Sequence, residues 1–141
     1  MKVLKYIVEA ILIYFIFLVI KIIGLNMGRK LSAYVFLNIG KLFRSKKIIK
    51  QNIINALGNI SDSEIENIME SMWRNYGFTF AEYIYLRKYR LNKFSEPHID
   101  ISGKEILDEV KKSNKPAVFV SGHFGNFELM AMELDKYNLN L

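Results

Sequence analysis

The chain contains no cysteine. Disulfides, thiolate nucleophiles and cysteine-held metals are therefore excluded, while the compartment is left open. Histidine is scarce: His98 and His123 are the only two. A metal site would need both of them plus carboxylates, and no ligand-like spacing joins them. Neither a metal nor an organic cofactor is expected. Acidic residues are almost missing from the first 50 positions, where Glu9 stands against ten basic side chains; residues 51–141 carry ten basic and thirteen acidic ones. The net charge of +6 is thus concentrated at the front. A basic, greasy front followed by a mildly acidic remainder implies attachment to an anionic surface. The basic residues are threaded among long apolar stretches, which suits lipid headgroups better than a groove tracking a phosphate backbone. Nucleic acid is not an expected partner.

What is present is mostly apolar. The 141 residues are 51% hydrophobic and 24% charged, enough for one domain with a modest core and too apolar for global disorder. Residues 6–25 form the longest greasy run, uninterrupted from Ala10 to Ile20 and extended to spanning length if Glu9 is tolerated and Lys21 snorkels. Three readings compete: a membrane-crossing or deep interfacial helix, a signal peptide, and a buried soluble helix. The first fits best, because Gly24-Leu25-Asn26 is a poor cleavage site. Eight basic residues from Lys21 to Lys50 follow the run, so a spanning helix would keep the remainder on the cytoplasmic side.

Residues 29–43 predict a second helix, either lying on headgroups with its basic edge or packing into a core. Ser61-Asp62-Ser63-Glu64 has capping-box spacing. Ile65, Ile68, Met69, Met72, Trp73 and Tyr76 then recur on one face, and Phe80, Tyr83 and Ile84 extend the stripe past Gly77. After a polar link over residues 92–97 the pattern changes. His98–Ile101 alternates as a short strand, 105–111 reads as a helix, Ala117–Ser121 as a second strand, and a helix carrying Leu129 to Leu134 follows. Strand, helix, strand, helix predicts an α/β fold with a parallel sheet, preceded by a membrane helix and a helical region. The expected organisation is an anchor at 1–27, a membrane-proximal helical region at 28–95 and the beginning of the α/β domain at 96–141. Two strands do not complete such a sheet, so a longer parent protein is expected.

Chemistry concentrates in Ser121-Gly122-His123-Phe124-Gly125-Asn126-Phe127-Glu128. A histidine at the end of a strand can act as a general base near neutral pH, and a carboxylate about one helical turn on can hold its ring. Gly122 and Gly125 permit unusual backbone angles and close approach of substrate. Asn126 is a candidate N-cap, and backbone N–H groups beside it, with Gly125, could face an anion or developing oxyanion. Acyl transfer to a hydroxyl suits this set: His123 takes the acceptor proton, Glu128 stabilises imidazolium, and no serine or cysteine nucleophile is needed.

This string resembles the signature of the bacterial lipid A biosynthesis acyltransferases, within the wider lysophospholipid acyltransferase-like superfamily. Phe127 stands where that family carries tryptophan, which keeps an aromatic wall. Lys50-Gln51-Asn52-Ile53, Trp73-Arg74-Asn75-Tyr76-Gly77 with Glu82, and Gly103-Lys104-Glu105 are similar to further family segments in the same order. The resemblance implies an α/β acyltransferase domain with His123 and Glu128 as the catalytic dyad. It implies a donor, acyl carrier protein or acyl-CoA, and an acceptor, a lipid A precursor or related glycolipid. The expected location is the cytoplasmic face of a bacterial inner membrane. Acylation of another glycolipid or of a lysophospholipid is the alternative, as is a non-catalytic membrane-bound remnant. Family members are longer, with later motifs that grip the phosphorylated acceptor, so the 141 residues are expected to be a fragment.

Overall fold

The computed structural model describes residues 2–95 and 98–137. Among these the regular elements are α1 (Lys2–Ile23), α2 (Leu25–Phe43), α3 (Lys46–Leu57), α4 (Asp62–Tyr83), α5 (Leu86–Arg90), α6 (Lys104–Ser113) and α7 (Glu128–Lys136). They fall into two compact units, Met1–Ile84 and Tyr85–Leu141.

In the first unit, α1 is long and apolar enough over Val3–Ile23 to cross a membrane, and only 6% of its most apolar window is buried. At about 1.5 Å per residue it reaches the roughly 30 Å of a hydrocarbon core. It is therefore not a core helix of this unit. Gly24 ends it with φ +83°, where a side chain would be strained. Ile20, 1% exposed, occupies the space that a Cβ on Gly28 would need, which closes the corner between α1 and α2.

The contacts of α2 with α4 pair Gly40 with Trp73, Ala33 with Gly77 and Arg29 with Glu82. As numbers fall on one helix they rise on the other, so the two are antiparallel. Each helix gives up a side chain where the other presses closest. The Trp73 indole lies where a Cβ on Gly40 would stand, and Ala33 lies against Gly77. The stripe predicted from residue 65 onward is thus interrupted at Gly77 by close backbone approach, not by the end of the helix.

The pairing of α3 with α4 is also antiparallel. Lys46 bonds Glu66, and Lys50 Nζ lies 2.6 Å from Asp62 Oδ1. Between these rims Ile49, Ile53, Ile65 and Met69 form a buried cluster that Ile68, Met72 and Trp73 extend. Gly58 at φ +76° caps α3, its N–H bonding the Ile54 carbonyl at 2.8 Å. The predicted capping box exists: the Ser61 N–H donates to Glu64 Oε2 at 2.9 Å, and the Glu64 N–H donates to Ser61 Oγ at 3.2 Å. The helix α3 has no counterpart in the sequence reading, although Ile49 and Ile53 stand four residues apart.

The α/β expectation is overturned. The described residues contain no strand, and their regular elements are all helices. Residues 98–101 and 117–121, where strands were expected, carry no regular secondary structure. Val118 and Val120 are 90% and 93% exposed, the opposite of a buried strand. An extended segment becomes a strand only when a neighbour takes its N–H and C=O groups. Apolar β-branched residues favour the extended backbone without supplying that neighbour. The link at 92–97 includes Glu96 and Pro97, which lie outside the described residues, as does the region after Tyr137.

Candidate active site

The candidate turn lies in the second unit, between α6 and α7. Helix α6 closes at Asn114, whose φ of +50° is left-handed, and Ser113 Oγ donates to the Val110 carbonyl at 2.8 Å. Asparagine tolerates this region better than most residues. The chain then runs without regular structure through the expected strand to His123. Gly122 leaves room for the Phe124 ring, which would stand 2.5 Å from a Cβ there. Gly125 adopts φ +53° with open space around it, so its glycine serves backbone conformation.

Helix α7 opens with Phe127 at the cap position, one residue later than the sequence suggested. The Leu129 N–H bonds the Asn126 carbonyl at 3.1 Å, so Asn126 still takes part in the first turn. Glu128 sits in that turn, where the helix dipole favours a carboxylate. His123 is exposed and rests edge-on against Phe127, ring centroids 4.2 Å apart at 67°. The structure thus places His123, Gly125, Asn126 and Glu128 on one short segment. It does not join the imidazole to the Glu128 carboxylate by a hydrogen bond or ion pair; His123's ring partner is Phe127.

Contacts to α5 hold the far end of α7. Lys136 Nζ donates to the Tyr89 carbonyl and to Asn92 Oδ1, both at 2.9 Å, and pairs with Glu133; Arg90 pairs with Asp135. A lysine on the last carbonyls of a helix satisfies groups left without an intrahelical partner. Sequence reasoning missed this clamp, because Lys136 and Tyr89 stand 47 positions apart. It also missed the aromatic group around Phe94, which contacts Tyr89 at 4.7 Å and His98 at 4.4 Å. His98 therefore belongs to an aromatic cluster and not to the candidate turn. Beside it, burial pushes the Tyr85 phenol above its ordinary pKa.

An exposed imidazole and a carboxylate at a helix start, with Gly125 between them, form a set suited to proton transfer at a substrate hydroxyl. The family model for bacterial lipid A biosynthesis acyltransferases matches residues 1–141. The class is therefore acyltransferase. The chain belongs to the bacterial lipid A biosynthesis acyltransferase family, whose members imply an acyl donor and a lipid A acceptor. No curated protein matches the chain, and no solved structure does.

Proposed function

We propose that the protein is a membrane-bound acyltransferase that moves a fatty acyl group from the thioester of acyl carrier protein to a hydroxyl of a lipid A precursor. The family match across residues 1–141 carries this reading. The string Ser121–Glu128 supports it with a base and a carboxylate in the order the chemistry needs. In the reaction His123 accepts the proton of the acceptor hydroxyl as its oxygen attacks the thioester carbonyl. The imidazole leaves Phe127 to meet Glu128, which stabilises the resulting imidazolium. Backbone N–H groups near Gly125 and Asn126 receive the oxyanion. Collapse of the tetrahedral intermediate breaks the C–S bond, and the thiolate takes the proton back from His123.

Membrane attachment through α1 would place this chemistry beside its acceptor. The basic residues after α1 favour the cytoplasmic face, where the thioester donor is soluble. We assign the anchor to 1–27, the membrane-proximal helices to 28–95 and the catalytic segment to 96–141.

The test is acyl transfer by membrane-extracted protein, with acyl carrier protein and coenzyme A thioesters offered separately. His123→Ala should lower the rate by about 10²–10⁴-fold, the usual range for a lost general base. Glu128→Ala should also lower it strongly. Full rates in both variants would overturn the assignment. A preference for the coenzyme A thioester would replace the donor and leave the dyad intact.

A further inference from the structure

The first unit contains a cleft of about 1210 Å³ lined by α1, α2, α3 and α4. Its walls are almost wholly apolar, with Phe15, Phe36, Ile53, Met72 and Trp73 among them. Among the described residues Arg44 is the one charged residue on its lining. The wall contributed by α1 is itself open, since Leu12 and Phe15 are 57% and 61% exposed.

The surrounding cations are not equivalent. Lys46 and Lys50 are taken up by Glu66 and Asp62. Arg44 is exposed and bonds no carboxylate among the described residues. Its backbone has left the helix, with φ −148° and ψ 139°, at the end of α2. Leu42 and Phe43, 79% and 70% exposed, stand beside it. An apolar cleft with one guanidinium on its lining, open along the helix that qualifies to cross a membrane, has the polarity of an anionic amphiphile. Hydrocarbon is favoured in the cleft over water, and the guanidinium fork matches phosphate oxygens.

We propose that this cleft holds an acyl chain of an anionic bilayer phospholipid, with the lipid phosphate on the Arg44 guanidinium. Its lining residues all belong to the first unit, and none is a residue of the His123 turn. It rests on attachment of the chain to the membrane through α1.

Trp73 is the sole tryptophan and lines the cleft, so it reports directly on a chain lodged there. The full chain would be reconstituted in two sets of vesicles with the same mixture of phosphatidylglycerol and phosphatidylcholine. In one set the phosphatidylglycerol carries brominated acyl chains, and in the other the phosphatidylcholine does. Surface charge is then identical, and quenching of Trp73 measures which lipid sits beside it. Enrichment of phosphatidylglycerol by about fivefold is expected for one cation acting on an anionic lipid. Arg44→Gln should abolish the preference, and Arg44→Lys should restore part of it. Arg44 is exposed and bonds no carboxylate among the described residues, so neither variant is expected to disturb the fold.

Equal quenching by the two lipids at equal mole fraction, or a preference that survives Arg44→Gln, would overturn the lipid site while leaving membrane attachment standing. Failure of the unaltered protein to sediment with either set of vesicles would overturn both. Quenching by a brominated phosphorylated glycolipid without enrichment of phosphatidylglycerol would give the cleft to the acceptor and also overturn the proposal.

Discussion

Replacing Gly77 with alanine gives two physical effects of opposite sign, and the structure decides between them. Alanine is the better helix former, by about 0.8–1.0 kcal/mol in a helix interior. If Gly77 were merely a weak point in α4, Gly77→Ala would stabilise the first unit by that amount. In the structure a Cβ at 77 would stand 2.5 Å from Ala33 Cα, 2.6 Å from Ala33 N and 2.6 Å from the Ser32 carbonyl carbon. Carbon atoms in contact prefer about 3.5–4.0 Å, so α2 and α4 must part by roughly 1 Å. Such parting withdraws Trp73 from the space above Gly40 and stretches the Arg29–Glu82 pair. Overpacking of this kind costs about 1–3 kcal/mol, and here the clashing atoms are backbone that cannot rotate away. Taking the upper end of that cost, about 3 kcal/mol, and offsetting the helix gain, we expect net destabilisation of about 2 kcal/mol, read as a fall of roughly 8–16 °C in the melting midpoint of a unit this size. Far-UV circular dichroism in detergent would follow helix loss, with Trp73 fluorescence reporting on the α2–α4 contact. Ala33→Gly should not rescue the variant, because the obstructing atoms belong to the main chain. A midpoint raised by Gly77→Ala, or rescue by Ala33→Gly, would refute the close approach.

Glu82→Ala removes a carboxylate 10% exposed from an Arg29 side chain 40% exposed, at an Nε–Oε1 distance of 3.0 Å. The expected loss is about 2–3 kcal/mol, below the range for a fully buried pair because the guanidinium remains half in water. The same melts measure it, and Glu82→Gln should lose less. Ser61→Ala should cost about 1 kcal/mol by leaving the Glu64 N–H without its side-chain acceptor. The capping contacts also predict a pH dependence. Hydrogen bonds from Ser61 hold the Glu64 carboxyl below its ordinary value of 4.5, and the hydrogen bond and charge of Lys50 hold Asp62 below 3.8. A carboxylate depressed in the folded state contributes stability above its unfolded pKa and loses it as pH falls through the folded one. Melting midpoints should therefore hold steady from neutral pH to about 5 and fall below the ordinary carboxylate values. Ser61→Ala should flatten the Glu64 part of that fall; an unchanged acid profile would remove the cap from the explanation.

Local chemistry was legible because it depends on near neighbours. The box at Ser61–Glu64 needs only four consecutive residues, and the apolar run of α1 needs only its own composition. The string from Ser121 to Glu128 likewise announced its histidine, its carboxylate and two candidate glycines, of which Gly125 takes a positive φ. What failed was the inference from a short apolar β-branched segment to a sheet. Ala117–Ser121 has the composition of a strand, yet a strand is a relation between two segments, and composition names only one of them.

The sequence by itself determined that α1, α2, α4, α6 and α7 would be helical, where α4 begins, where charge concentrates and which segment carries His123 and Glu128. Tertiary structure alone decided that α2 lies antiparallel to α4 across two glycines, that Lys136 clamps α7 to the end of α5, and that His123 rests on Phe127. The first two depend on atoms far apart in the chain meeting at contact distance, and the third on the turn conformation that brings two rings four residues apart together. Helix periodicity and capping act within a turn or two, whereas the packing that selects one pairing of helices is a property of the whole assembled surface.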